Sequence, residues 1–359
     1  MGMAAMAKRT ALGVGAVGLG VAARNRTRNS RMIELKDKVV VITGGSRGLG
    51  LVMAREFAAE GAKLVLCARH EDDLERARDE LERSGAEVLT VRCDVGDRTQ
   101  VKNLIARANE RFGQVDVLIN NAGVIAAGPL ETQTIQDFEM AMDIMFWGVV
   151  YTTLEVLPQM RARKSGRIVN ITSVGGKVSV PHLMAYNSAK FAAVGFSEGL
   201  TAEVAKDGIR VTTVAPGVMR TGGHVNAFFK GQHKVEYALF SVMSSMPLTS
   251  IPAERVARQV VEAVKSGDPE ITPAFHAQVL ARMNGLFPGV TTNVLGLANR
   301  VMPGPGGSGK ERKRGRESES LVSGSFLGET GRQATENNLQ YGLAGIDDEP
   351  NLESPARGR

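Results

Sequence analysis

The sequence predicts an α/β protein built on a doubly wound parallel sheet, three layers deep (α/β/α), with a disordered C-terminal tail. Between Leu35 and about Thr272, short runs rich in β-branched residues alternate with amphipathic segments of helix length. The strand-like runs are almost continuously apolar, so both faces of each strand are expected to be covered, as in parallel sheets wrapped by crossover helices. Right-handed crossovers then place ligands at the carboxyl ends of the strands. From about Pro303 the chain turns rich in Gly, Ser, Glu and Arg and poor in aromatics, a composition that reads as disorder. The expected organisation is an N-terminal extension over 1–34, a folded domain over 35–302 and a tail over 303–359.

The first 36 residues hold Lys8, Arg9, Arg24, Arg26, Arg28, Arg31 and Lys36 around the apolar run 11–23, with Glu34 the only acid among them. That run is shorter than the ~20 residues needed to span a bilayer, and its glycines disfavour a helix. It fits a signal-peptide core, an interfacial anchor, or sequence upstream of a second candidate start at Met32. A cytoplasmic protein is expected, with peripheral membrane contact through this run as an open alternative. The run also contains Gly13-x-Gly15-x-x-Gly18, but no strand precedes it, and it is rejected as a dinucleotide site. The net charge of +6 comes from this arm and from a second basic cluster, Lys310 to Arg316, so the middle of the chain carries no nucleic-acid signature.

In order, strands are predicted at 38–43, 63–68, 87–93, 115–120, 167–172 and 209–214. Helices are predicted at 49–59, 72–84, 98–112, 137–161 and 185–206. Cys67 and Cys93 fall inside apolar strands and read as reduced, buried thiols. With five histidines and these two cysteines, no metal-ligand spacing is found.

The first strand runs into Thr43-Gly44-Gly45-Ser46-Arg47-Gly48-Leu49-Gly50, which opens a helix. Glycines there permit positive φ and close approach to a pyrophosphate, and the helix N-terminus favours its negative charge. At the end of the second strand Ala68 is neutral and Arg69 follows, while Arg47 projects from the glycine loop. A carboxylate at that place would bind the ribose of NAD; two guanidiniums suit a 2′-phosphate, so NADP(H) is expected over NAD. Tyr186 and Lys190 lie a helical turn apart. A phenol titrates near ~10, and a nearby ammonium favours its ionised form, which makes the pair a candidate acid/base. A look-alike phosphate loop at Gly304 to Lys310 has Glu311 in place of the magnesium-binding hydroxyl and reads as a linker.

Taken together, Thr43-Gly44-x-x-x-Gly48-x-Gly50, Asp94-Val95, Asn120-Asn121-Ala122-Gly123, Ser173, Tyr186-x-x-x-Lys190 and Pro216-Gly217 with Thr221 resemble the classical short-chain dehydrogenase/reductase family. The resemblance covers Leu35 to Pro273, about two-thirds of the chain, in the family's order. It implies a Rossmann-type sheet and an NAD(P)-dependent oxidoreductase. By the same resemblance Asp94 would accept from the adenine amino group with Val95 packed beside it. Asn121 would lie along the adenosine in a turn that Gly123 allows. Ser173 would hold the substrate oxygen, Tyr186 would exchange its proton, and Lys190 would bind the nicotinamide ribose and depress the tyrosine pKa. Ser46 and Leu49 would complete the phosphate loop, and Thr221 would touch the carboxamide or pyrophosphate. One residue departs from the pattern: Met145 stands where the family places an asparagine that links the lysine to solvent. A thioether is a weak acceptor and no donor, so the usual proton relay is not expected.

The segment from Val218 to Pro252 carries Phe228, Phe229, Tyr237, Leu239, Phe240, Val242, Met243, Met246 and Leu248. It points to a hydrophobic carbonyl or alcohol substrate, or to a lid. His182 and Lys177 read as locally bonded and solvated side chains. The family resemblance implies a homodimer or homotetramer through the helices near 140–160 and 186–205. The rival functions are a cofactor-binding sensor or scaffold without turnover and an epimerase or dehydratase on the same scaffold.

Overall fold

The computed structural model describes residues 28–246, 249–319 and 329–340. Its first half runs β1 (Val39–Thr43), α1 (Gly48–Ala59), β2 (Lys63–Ala68), α2 (Glu71–Arg83), β3 (Val88–Arg92), α3 (Arg98–Phe112) and β4 (Val117–Asn120). The second half continues with α4 (Ile135–Met142), α5 (Gly148–Ala162), β5 (Gly166–Ile171), α6 (Met184–Val204) and β6 (Ile209–Val214). Then follow α7 (His233–Ser245), α8 (Ala253–Ser266), β7 (Glu270–Ile271), α9 (Phe275–Leu286), α10 (Pro288–Asn299) and α11 (Glu329–Asn337).

The seven strands form one sheet in the order β7-β6-β5-β4-β1-β2-β3, with every neighbouring pair parallel. Both faces are covered, which explains the unbroken apolar runs. Val40, Ile42, Leu64, Leu66, Val117 and Ile119 face α1, α2 and α8. Their sequence neighbours Val39, Val41, Val65 and Leu118 face α3 and α5. Successive side chains of a strand point to opposite faces, so a covered parallel sheet needs both sets apolar. The strand order reverses between β4 and β1, and the crevice at their carboxyl ends is where this architecture binds ligands.

The helix predicted as continuous over 137–161 is interrupted. Between α4 and α5 the chain makes a π-helical turn, Asp143–Trp147, whose extra residue sets Met145 inward and fully buried. Such bulges are rare inside helices and concentrate at functional sites. Apolar composition runs evenly across the break, so periodicity alone does not reveal it.

Of the tail read from composition as disordered, residues 303–319 and 329–340 are described, and they pack on the body. Lys313–Arg314 pair antiparallel with Phe228–Phe229, which pair in turn with Ala126–Ala127. Arg312 Nε lies 2.8 Å from Asp137 Oδ1, and the same buried carboxylate is bonded by Lys230. A carboxylate in the interior needs cations, and here one comes from the tail. The look-alike phosphate loop is a turn docked on residue 231, with Ser308 N donating to the Gly231 carbonyl at 2.8 Å. The apolar run 11–23 and its glycine pattern lie outside the described residues.

Candidate active site

The glycine loop between β1 and α1 is shaped by two left-handed residues and one close contact that side chains would disfavour. Gly44 and Gly48 take left-handed φ values of 63° and 56°, and a Cβ on Gly50 would stand 2.0 Å from the Gly44 carbonyl. The opposite wall is fixed by Thr43, whose Oγ1 accepts from Asn121 N at 2.9 Å and Ala122 N at 3.1 Å. The Asn121 side chain donates back to the Thr43 and Gly44 carbonyls at 3.0 and 3.1 Å. Asn121 therefore clamps the loop to the end of β4, and its amide hydrogens are committed there. Gly123 is not left-handed, and a Cβ on it would meet Met145 Sδ at an ordinary 3.6 Å, so that turn does not depend on glycine.

At the start of α1, Gly48 N–H donates to the Asn338 carbonyl at 2.9 Å. An acceptor oxygen thus already sits on the N–H at this helix N-terminus, a donor of the kind that anions use. Asp94 follows β3 and is held by its own turn: Oδ1 accepts from Gly96 N at 2.9 Å. Val95 is buried against the backbone of Gly148.

Beyond the loop the cavity is cationic. Arg47 Nη1 lies 3.4 Å from Asp73 Oδ2, and Asp73, almost wholly buried, is also bonded by Arg76. Burial lowers the Arg47 pKa from its ordinary value; Asp73 opposes this, and nearby Arg69, Arg314 and Arg76 add to it. The structure thus adds Arg314, from the tail, to the pair of arginines read from sequence.

At the other end stand Ser173, Tyr186 and Lys190. Ser173 directly follows β5 and Thr172, and its Oγ accepts from Gly175 N at 3.0 Å. A Cβ on Gly175 would press to 3.2 Å from the Tyr186 ring and 3.4 Å from Ser173 Oγ, so glycine keeps these two groups in reach of one another. Burial raises the Tyr186 pKa, with a hydrogen bond to Ser173 pulling the other way. Lys190 Nζ donates to the Ile171 carbonyl at 2.8 Å and lies 5.8 Å from the centre of the Tyr186 ring. Burial lowers its pKa to about 8. The expected depression of Tyr186 by Lys190 is not what this structure displays: the tyrosine sits above its usual value, and Ser173 is the group acting against burial. Met145 packs with Ala141, Ala185 and Ala189, beside Tyr186 and on the apolar side of α6.

All residues expected at the site except Gly50 line one cavity of about 710 Å³. Thr221 closes its rim, its Oγ1 accepting from Gly223 N at 3.1 Å and its carbonyl accepting from Gln340 Nε2, also at 3.1 Å. Of the apolar residues between 218 and 252, Phe228, Leu239, Phe240 and Met243 line the cavity, while Phe229 and Tyr237 are buried in the cluster that carries them. Leu248 lies outside the described residues. Lys177 bonds Glu198 at 2.6 Å and Glu270 at 3.3 Å, away from the cavity. Sequence reasoning did not find Glu236, His224, Arg314 or Gln340, all of which line it. None stands at a motif spacing; chain folding alone brings them there.

Comparison with known proteins identifies the family. The family model for short chain dehydrogenase matches residues 38–229, more than half of the chain. A dehydrogenase/reductase SDR family protein 7-like protein of Anopheles gambiae is 40% identical over 205 residues; the match takes in 56% of this chain and 64% of that protein's length. A short-chain dehydrogenase/reductase from Burkholderia phymatum, solved with NAD, aligns at a TM-score of 0.63 and 28% identity, covering 72% of this chain and 96% of that one. A variant actinorhodin polyketide ketoreductase solved with NADPH aligns at 0.60 and 30% identity, over 66% of this chain and 95% of its own. With its sheet order, its glycine loop and the order of its motifs, the chain belongs to the short-chain dehydrogenase/reductase family of nicotinamide-dependent oxidoreductases.

Proposed function

We propose that the protein interconverts a carbonyl and an alcohol on a hydrophobic substrate, using NADP(H) in preference to NAD(H). The observation that carries this reading is the polarity of that cavity: a seryl and tyrosyl hydroxyl at one end, three arginines at the other. Ser173 would hold the substrate oxygen, and Tyr186 would give that oxygen a proton in reduction or take one in oxidation. Its raised pKa suits the protonated form needed for reduction at neutral pH. Lys190, ammonium at neutral pH with a pKa of about 8, would bind the nicotinamide ribose. A nicotinamide held there supplies or accepts the hydride, so no metal is required. Arg47, Arg69 and Arg314 would receive the 2′-phosphate, a dianion that bidentate guanidiniums bind well. Asp94, with Val95 packed beside it, would accept from adenine, and Thr221 would meet the carboxamide or pyrophosphate. The exposed Leu154 on α5 and Phe191 on α6 support association into a homodimer or homotetramer through those helices.

The test is a panel of hydrophobic ketones, aldehydes and alcohols assayed in parallel with NADPH/NADP and NADH/NAD. Turnover is expected with NADPH favoured, and Tyr186→Phe should lose about 10²–10⁴ in kcat while still binding cofactor. Full activity in Tyr186→Phe would end the acid/base assignment, and an NADH preference would end the arginine argument.

A further inference from the structure

Two buried polar side chains in the cavity wall belong to no part of the chemistry above. His182 and Glu236 are 54 residues apart in sequence, yet His182 Nδ1 lies 2.6 Å from Glu236 Oε1. Their side chains are 7% and 4% exposed, and both line the cavity. Leu183 adjoins His182 and Phe240 stands one helical turn beyond Glu236, both packed on the apolar cluster that holds Phe229 and Tyr237. Among the described residues, His182 Nε2 and Glu236 Oε2 make no further hydrogen bond, and neither is among the fully buried unpartnered atoms, so both open onto the cavity. His182 also holds a left-handed backbone, φ 64°, which histidine adopts less readily than glycine. Such strain, kept four residues before Tyr186, gathers at ligand clamps and active sites.

The chemistry of the pair sets what it can bind. Glu236 is a pure acceptor, so it takes the hydrogen on His182 Nδ1 and fixes the ring's orientation. That leaves Nε2 directed away from the carboxylate, an acceptor on neutral imidazole and a donor on imidazolium, beside the accepting Oε2. A hydroxyl, which both donates and accepts, satisfies this pair in either protonation state. Both atoms face the cavity, where a ligand hydroxyl takes the place of water on their unused valences. We infer that His182 and Glu236 form a second polar anchor of the substrate site, selecting hydrophobic carbonyl compounds that carry a further hydroxyl remote from the reacting carbon.

This inference rests on the carbonyl-reductase reading and deepens it. A site built to bond a substrate hydroxyl discriminates strongly against the analogue lacking it, because its own polar groups are then stranded. The test uses matched pairs of aryl and cycloalkyl ketones, with and without one distal hydroxyl, assayed with NADPH. For the best-accepted pair, kcat/KM is expected to favour the hydroxy ketone by at least about tenfold in the wild type. That ratio should fall to within about threefold in Glu236→Gln and in His182→Asn, the asparagine chosen because it tolerates left-handed φ. A purely structural pair would leave the ratio intact in any variant that still folds and turns over. The inference is overturned if the wild type shows no hydroxyl preference on any pair, or if both variants keep it. A wild type that binds NADPH but reduces neither member of any pair fails the oxidoreductase reading itself, a result distinct from reduction without discrimination.

Discussion

His224 is almost wholly buried, its ring 5.8 Å from that of Tyr237, and burial holds its pKa down to about 4. In the unfolded chain the same imidazole titrates near ~6.5. Between those values the unfolded state binds more protons than the folded one, so stability rises with pH across that window. The contribution is complete above ~6.5 and is lost as pH falls through about 4, a loss of roughly 3 kcal/mol at most from this one group. His224→Gln should therefore lose less of its urea midpoint than the wild type between pH 7 and pH 4.5. Equal losses would show that the imidazole is protonated without cost in the fold. Met145 gives a second residue-scale prediction. It is fully buried among alanines, so Met145→Asn strands an amide and should cost about 1–3 kcal/mol of stability. Turnover per folded molecule should be retained or raised, because nothing in the chemical step uses the thioether. A collapse of kcat in a folded variant would assign the methionine a positive role.

At the scale of elements, the joint among α4, the 228–232 segment and the tail turns on one carboxylate. Asp137 sits in the first turn of α4, where its Oδ2 accepts from Thr134 N at 2.7 Å to cap the helix. Burial alone would raise its pKa, but Lys230, Thr134 and Arg312 bring it below the usual carboxylate value. Lys230 and Asp137 are both essentially inaccessible, whereas Arg312 is 13% exposed. Removing the buried cation leaves a buried anion short of a partner, so Lys230→Met should destabilise by on the order of 3 kcal/mol. Arg312→Ala should cost less, and should chiefly speed proteolysis of residues 303–319. Guanidinium denaturation and limited proteolysis separate the two effects. This joint also marks what a sequence can disclose. The strands of the sheet are legible because each is a local apolar run covered on both sides, and the glycine loop, Ser173, Tyr186 and Lys190 follow from short spacings on those elements. Lys230 and Arg312 meet Asp137 across 93 and 175 residues. No local period encodes such a meeting, just as none encodes Glu236 against His182 or the π-turn that presents Met145.

Across the whole molecule, the tail reaches the glycine loop as well. The Asn338 carbonyl takes the Gly48 N–H, and Gln340 bonds both the Thr221 carbonyl, at 3.1 Å, and Asn226, whose Nδ2 donates to its Oε1 at 2.8 Å. A Cβ on Gly48 would meet Gln340 Nε2 at 2.7 Å, which shows how closely the segment lies on the loop. Asn338 and Gln340 are almost wholly buried there, and Arg55 holds the Asn338 side chain from the far side at 3.2 Å. A pyrophosphate seated on the same N–H would have to displace that carbonyl, so a cofactor held there would compete with the tail for one donor. Net hydrogen bonds in water are worth about 1 kcal/mol each, and losing one or two competing bonds corresponds to roughly a five- to thirtyfold change in affinity. A chain ending at Glu319 should accordingly bind NADPH about tenfold more tightly than the full chain, read by titration of cofactor fluorescence. Gln340→Ala should fall between the two, because it removes the side chain's bonds and leaves the Asn338 carbonyl in place. Weaker binding in the shortened chain would mean that the segment supports the loop instead of contesting it, and unchanged binding would mean that it does neither.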